Sequence, residues 1–416
     1  MSVEVTDTLV VGAGQSGIAM SEHLSALNIP HIVLERSRIA ESWQTLRWDS
    51  LVANGPAWHD RFPNLEFEGD HPDSFPTKDR VAKYFNDYAA MIEAPIRTGV
   101  DVKHVKRNEK RPGYTVTTTE GLFEARRIVA ATGPFQIPSF PKIVGADAGV
   151  HQLHSSEYKN PGQLPDGGVL VVGCGASGTQ IAEELCQAGR SVYLSVGDHY
   201  RPPRSYRQRD YVWWLAALGT WDEVRTKPKK KHVAYAVSGY DGGRTIDFRR
   251  LAKKGITLVG ITKSYDNGVL HFEGDLAQNI ADGDAAYFQV LREADVYIES
   301  MGMDLPPEPE AWERLENPEC VTNPIASLNL AAAGIKTILW ATGFKYDFNW
   351  LEVDTFNEDG TPIHKRGISA ENGVYFLGLP DLTNRASAFI YGCWHDARYI
   401  AHHIALQRNY DAYRRT

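Results

Sequence analysis

Two stretches of this 416-residue chain repeat one pattern. Residues 8–24 read TLVVGAGQSGIAMSEHL and residues 169–185 read VLVVGCGASGTQIAEEL. Each is a short apolar run, a Gly-x-Gly-x-x-Gly turn, and then apolar residues at helical spacing. The chemistry such a turn does is phosphate binding. The first glycine (Gly12, Gly173) allows the tight turn, the second (Gly14, Gly175) lets the backbone approach a pyrophosphate, and the third (Gly17, Gly178) lets helix and strand pack closely. The helix N-terminus then offers unpaired N–H groups and roughly half a positive charge. Ser16 and Ser177 lie within the two turns and belong to the same candidate cradles.

The end of the following strand separates the two copies. In the first it is IVLE, and Glu35, followed by Arg36, lies about twenty residues beyond the glycines, where a carboxylate accepts from both hydroxyls of an unphosphorylated ribose. That suits FAD or NAD. In the second copy the strand reads VYLS, so Ser195 replaces the carboxylate. Arg201 and Arg204 follow, with Arg207 and Arg209 behind them, and an arginine fork suits a phosphate dianion. The second site is therefore expected to prefer NADPH. A further repeat supports two cofactors. RIVAATG (127–133) and TILWATG (337–343) are apolar strands ending in Ala-Thr-Gly, which adds Thr132, Gly133, Thr342 and Gly343 to the candidate cofactor contacts.

These motifs need a parallel sheet to hold them. DTLVVGAG, QSGIAMSEHLSALN and HIVLERS make one strand–helix–strand unit, and the second fingerprint opens another. VAKYFNDYAAMI (81–92) reads as an amphipathic helix, YTVTTTEG and EARRIVAATG as strands. KNPGQLPDGG (159–168) reads as a linker. The stretch 199–250 has no counterpart in the first unit and carries Tyr206, Tyr211, Trp213, Trp214 and Trp221, which favours packing over a substrate wall. Gly-punctuated strands are expected from there to KTILWATG, then a strand, a loop and a long helix. The fold class is α/β, with two Rossmann-like, three-layer dinucleotide-binding domains. The expected FAD domain is split, 1–160 and 345–416, and the NADPH domain, 161–344, is inserted between. The aromatic segment points to a homodimer.

Composition removes other classes. A net charge of −8 argues against a nucleic-acid binder; the one basic run, Lys227 to Lys231, reads as a solvated loop. No stretch approaches the ~20 apolar residues of a membrane helix, and no leader pattern opens the chain, so a cytoplasmic protein is expected. Cys174, Cys186, Cys320 and Cys393 form no CxxC pair, which excludes a dithiol reductase, and no cluster has metal spacing.

On GAGQSG (12–17), GCGASG (173–178), the two Ala-Thr-Gly strands and their spacing, the chain resembles the class B flavin-dependent monooxygenases, with the flavin-containing monooxygenases and YUCCA-type enzymes as the nearest group. The resemblance covers nearly the whole chain. It includes ESWQTLRWDSLVANGPAW (41–58), where Ser42, Trp43 and Arg47 look like the family's flavin-contacting segment. Of the family's signature before the second fingerprint, His154 and Tyr158 are present, the phenylalanine position falls on Ala148, and Gly149 is one place out of register. Tyr158-Lys159 stands where Baeyer–Villiger members have Trp-Pro, which lowers the ketone-oxidising reading.

The resemblance implies a mechanism. NADPH reduces FAD, reduced flavin and O₂ give a C4a-hydroperoxide, and one oxygen atom passes to a small molecule: an amine, a sulfide or a carbonyl acid. It places Asn54 at the family's oxygen-handling asparagine. Trp58 and His59 are candidates for the substrate side, as is Asn384 in the loop before the last helix, which itself carries His395 and Asp396. The competing reading is an NADPH-dependent flavoprotein reductase or oxidase without oxygen transfer.

Overall fold

The computed structural model describes residues 3–224 and 233–413. Lys227–Lys231, the basic run, lies outside the described residues. The chain builds two bodies, each on a parallel sheet. In the first, β1 (Glu4–Val11) runs into helix α1 (Gln15–Ala26) and returns as β2 (His31–Glu35). After the short helix α2 (Glu41–Thr45) and the long α3 (Lys78–Met91), β3 (Ile96–Thr98) extends the sheet beside β2. The meander β4 (Val102–Arg107), β5 (Tyr114–Thr118) and β6 (Gly121–Ala130) brings β6 parallel to β1, and Val374–Phe376 pairs in parallel with β6. Leu9, Val10, Ile128, Val129 and Phe376 are fully buried. Such continuous apolar runs are what a parallel sheet covered on both faces demands.

The closing helix Ile390–Ala412 lies along α1. It buries Ile390, Cys393, Ala397, Ile400, Ala401 and Ile404, one stripe at helical spacing. The chain therefore returns to complete its first body from the far end of the sequence.

The second body is a five-stranded parallel sheet. Its order is Ile256–Val259, β10 (Val192–Ser195), β9 (Gly168–Val172), Ile335–Trp340 and β8 (His151–His154). Helix α4 (Ala176–Gln187) joins β9 to β10. Because β8 pairs with Ile335–Trp340, the chain enters this sheet ahead of His151, about ten residues before the linker seen in the sequence. The Pro/Gly stretch is instead a loop on the second body, where the Arg190 guanidinium donates to the carbonyls of Pro161, Leu164 and Pro165. The two crossings between bodies run together: β7 (Ile137–Pro138) pairs antiparallel with Phe344–Lys345.

One element is absent from the sequence reading. Between the strands expected after residue 250 stands a 26-residue helix, Leu276–Met301. Its buried Leu276, Ile280, Gly283, Tyr287, Leu291, Ala294 and Ile298 recur every three or four residues. Gly283, a poor helix former in its middle, disguises it. The glycine is required there because a Cβ would stand 2.2 Å from Nε2 of His199. The aromatic insertion packs on this helix. Tyr206 and Trp214 are fully buried against Tyr287, Leu291 and Ala294, which answers the sequence question in favour of packing for these two rings.

Candidate functional site

The two glycine turns have the same geometry. Gly12 and Gly173 take φ of +104° and +110°, open to glycine alone without strain. A Cβ on Gly12 would stand 2.8 Å from the Ala131 carbonyl oxygen, and on Gly173 2.5 Å from that of Ala341. Each turn thus lies against the alanine of its own Ala-Thr-Gly strand. A Cβ on Gly17 or Gly178 would fall 1.8 or 1.9 Å from the carbonyl oxygen of Gly12 or Gly173, so helix and strand touch.

Gly14 is different, because nothing lies within 4 Å of the space its Cβ would take. Neither α1 nor α4 has a side-chain N-cap, which leaves the first-turn N–H groups for an anion. This open face over an uncapped helix fits a pyrophosphate. At the second turn Ala234 and Tyr235 lie beside Gly175, with the Ala234 Cβ 3.5 Å from the position a Gly175 Cβ would take. Ser16 is buried beneath Gly378, and Ser177 is half-buried in the first turn of α4.

Glu35 closes the first cradle. Its carboxylate accepts from the backbone N–H of Ala13 at 2.8 Å and of Ser37 at 2.9 Å, which holds it at the turn; Arg36 beside it is exposed. The second cradle departs from expectation. Strand register sets Val11 opposite Leu34 but Val172 opposite Ser195, so Ser195 corresponds to Leu34 and the position of Glu35 falls on Val196. A one-residue slip along a strand turns a side chain to the other face. Ser195 is accordingly buried, donating to the Gly260 carbonyl at 2.9 Å and accepting from Thr262. No carboxylate stands at the matched place, but Ser195 does not face the ribose side.

The expected arginine fork is also not there. Arg201 is buried and bonded to Asp284 at 2.6 Å, over the ring of Tyr287. Arg249 shares the same carboxylate at 2.7 Å. Burial alone would raise the Asp284 carboxyl; hydrogen bonds and charge from Arg249 and Arg201 hold it below the usual range. Arg204 is buried too, donating to Asp210 and to the main-chain oxygen of Asn54, both at 2.5 Å. Both guanidiniums are held by acceptors inside the protein, with the Arg204 Nε alone left without a partner.

The family signature residues lie in the second body, and Tyr158 reaches the 41–58 segment through Glu184. The His154 Nδ1 accepts from the Ser156 N–H, so Nε2 carries the proton and donates to the Gly343 carbonyl at 3.0 Å. Burial pushes this imidazole down, keeping it neutral. The Tyr158 hydroxyl donates to Glu184 on α4, which also accepts from Ser50. Gln136 donates to Thr132 and to the Gly133 carbonyl, and Thr342 donates to Ser139. In the 41–58 segment Ser42 is exposed, and Trp43 packs between the cores of both bodies. The Arg47 guanidinium lies 4.8 Å from the ring centroid of Phe135, and burial lowers its pKa to about 10.

Asn54 sits where three parts of the chain meet. Its Oδ1 accepts from Gln180 Nε2 of α4 at 3.1 Å. Its peptide to Gly55 is gripped on both sides: the Asn54 carbonyl by Arg204, the Gly55 N–H by Asp60 at 3.1 Å. A Cβ on Gly55 would fall 2.3 Å from the Asp60 carboxylate. Asp60 also bonds His59 Nδ1 at 2.8 Å, and the His59 ring clusters with Trp58, Trp221 and Tyr391. Asn384 forms its own turn, accepting from the Ala386 N–H, while burial raises the neighbouring Asp396 carboxyl on the closing helix.

Sequence reasoning passed over Gln180 and Asp60. A signal for Gln180 existed. With Gly173 laid on Gly12, Gln180 falls on Ala19, a polar residue where the first copy is apolar. Asp60 carried none, since its partners are fixed by a loop. Among the described residues no helix is long and apolar enough to cross a membrane, and no group of three or more His, Cys, Asp or Glu could hold a metal.

Comparison with known proteins agrees with this geometry. Residues 9–218 match the family model of the pyridine nucleotide-disulphide oxidoreductases. An uncharacterized CzcO-like oxidoreductase of Geobacillus kaustophilus is 32% identical over 404 residues, 96% of this chain and 98% of that one. The indole-3-pyruvate monooxygenase YUCCA6 of Arabidopsis thaliana is 36% identical over 203 residues, covering 47% of this chain and 48% of its own. The flavin-containing monooxygenase of Stenotrophomonas maltophilia superimposes with a TM-score of 0.67 at 17% identity, over 98% of this chain and all of that one, a likeness of fold.

Proposed function

The chain belongs to the class B flavin-dependent monooxygenases, within the pyridine nucleotide-disulphide oxidoreductase family, and on that premise we propose that it inserts one atom of O₂ into a small organic substrate, an amine, a sulfide or a carbonyl acid. It is a flavin-dependent oxidoreductase that uses FAD and NADPH. Bound flavin supplies a hydride acceptor and a centre for oxygen activation, and NADPH supplies the hydride.

The chain's own residues do the rest. The Gly12–Gly17 turn and α1 hold the FAD pyrophosphate, with Glu35 on the ribose side; the Gly173–Gly178 turn and α4 hold that of NADPH. Tyr158 ties the second body to the 41–54 segment through Glu184, which also takes Ser50, and this keeps the two cradles in one orientation. Asn54 is the oxygen-handling residue. With Oδ1 taken by Gln180, its amide presents N–H donors, which stabilise a developing oxyanion without releasing a proton.

The observation that carries the reading is the junction at Asn54, where Gln180 of the second body holds the side-chain amide and Arg204 and Asp60 hold the following peptide. The test is to reduce the FAD-loaded protein with NADPH, mix it with O₂ and follow absorbance. A long-lived state, distinct from both oxidised and reduced enzyme, is expected. Immediate return to the oxidised spectrum with stoichiometric peroxide would overturn oxygen transfer and leave a reductase or oxidase.

A further inference from the structure

A cleft of about 620 Å³ opens between the 56–75 loop and the 204–213 segment of the insertion. That volume suits a small molecule. Three aromatic side chains, Trp58, Phe75 and Trp213, face it, and so do the arginines Arg204 and Arg209. Two arginines and two aspartates line it, and they do not all pair with one another. Arg204 is paired with Asp210, and Asp73 stands at the rim with an exposed side chain beside His71. Arg209 has no carboxylate at ion-pair distance among the described residues; its guanidinium rests 5.5 Å from the Trp213 ring centroid. The Nε atoms of Arg204 and Arg209 are both buried without a hydrogen-bond partner, although Arg204 as a whole is only 4% exposed. A buried donor left unpaired asks for an acceptor.

The backbone that presents Arg209 is itself constrained. Arg207 and Gln208, both non-glycine, take φ of 47° and 61° at the tip of a two-residue hairpin. That left-handed pair is held from behind: the Arg207 N–H donates to Glu308 and its guanidinium pairs with Asp295, which also accepts from Tyr206. Strain maintained by such anchoring fixes where Arg209 stands.

The geometry points to this cleft as the substrate-selecting part of the site. It takes a small planar organic anion, with an aromatic body against Trp58, Phe75 and Trp213 and a carboxylate on Arg209, and it rejects cationic amines. Arg204 connects the cleft to the reaction centre, since the same guanidinium that lines it holds the Asn54 carbonyl. The inference rests on the oxygen-transfer reading for its substrate role, but not for the binding itself.

The test is calorimetric titration of the FAD-loaded protein with three matched probes: phenylacetate, phenylacetamide and phenethylamine. Phenylacetate is expected to bind about tenfold more tightly than its amide, with the amine weakest. Arg209→Gln should abolish the difference between acid and amide, Arg209→Lys should restore part of it, and Trp213→Ala should weaken both alike. The flavin spectrum and Tm verify folding of each variant; if Arg209→Gln does not fold, the wild-type acid-to-amide ratio and Arg209→Lys decide. Equal binding of acid and amide to the wild type, or an unchanged ratio in Arg209→Gln, would overturn the assignment. Acid selectivity without oxygen transfer to any probe would leave the cleft standing and remove the monooxygenase reading. Oxygen transfer to phenethylamine without acid selectivity would do the reverse.

Discussion

Nε2 of Gln180 donates to Oδ1 of Asn54 across 3.1 Å, and the two residues belong to different bodies of the molecule. Gln180 lies in α4, the helix whose N-terminus forms the second cradle, and it also donates to the Val237 carbonyl at 3.0 Å. The amide of Asn54 is therefore oriented by the helix that follows the second glycine turn.

Asn54→Ala should still accept a hydride from NADPH but release free peroxide. Loss of one preorganised donor is expected to lower oxygen-transfer coupling by about tenfold or more. Gln180→Leu should leak in the same direction and less, because the amide remains but is free to rotate. The ratio of peroxide formed to NADPH consumed measures both. A Gln180→Leu enzyme as tightly coupled as the parent would remove the positioning role.

The two fingerprints should fail separately. In Gly17→Ala the added methyl meets the Gly12 carbonyl oxygen, forcing α1 off β1, and the protein should purify without flavin. In Gly178→Ala the same clash with Gly173 opens the second turn. That variant should keep FAD, visible in its spectrum, and lose NADPH-driven flavin reduction by about a hundredfold, since pyrophosphate binding depends on close backbone approach. Flavin retained by Gly17→Ala at normal occupancy would count against the assignment of the first cradle.

Nucleotide choice should be insensitive to the buried residues. Ser195→Ala and Arg201→Met are expected to keep the parent's preference for NADPH over NADH to within about twofold in the ratio of kcat/KM values. Arg201→Met should instead lose about 2 kcal/mol of stability in urea titration, less than a fully orphaned buried charge costs, because Arg249 still pairs with Asp284. A collapse of NADPH preference in a folded Arg201→Met protein would restore the fork that the ion pairs exclude.

Acid should loosen the first body through His23. Burial, opposed by Glu22, pushes this imidazole down to about 4, and its Nε2 bonds the Trp394 carbonyl of the closing helix. The folded protein binds the proton less readily than the unfolded chain does. Stability is therefore full above the ordinary value of 6.5 and falls as pH drops from there toward 4. The contribution is on the order of 3 kcal/mol over that window. His23→Gln should flatten this part of the Tm–pH curve; an unchanged slope would mean that His23 is not the group responsible.

Much of the molecule was legible because its main signals are local. The glycine turns, the Ala-Thr-Gly strands and the apolar strands beside them depend on residues a few places apart, and each appears where its pattern put it. The helix Leu276–Met301 was hidden by Gly283, whose reason is the His199 ring from a distant strand. The Ser195 assignment failed for a similar cause. Counting along the chain gave one offset, while pairing between strands gave another, and a single residue decides which face a side chain takes.

What the sequence alone determined was the presence and place of two glycine turns of the nucleotide-binding kind. A glycine required by a turn leaves its mark at a fixed spacing, whatever packs around it. What tertiary structure alone decided was the use of each charged or polar side chain. Arg201 and Arg204 look free in the sequence and are buried in ion pairs, whereas Arg209, two residues before a tryptophan-bearing helix, rests on the Trp213 ring with no carboxylate at ion-pair distance among the described residues. Coulomb attraction and hydrogen bonding act through space, and their partners, Asp284 and Asn54, lie 83 and 150 residues away along the chain.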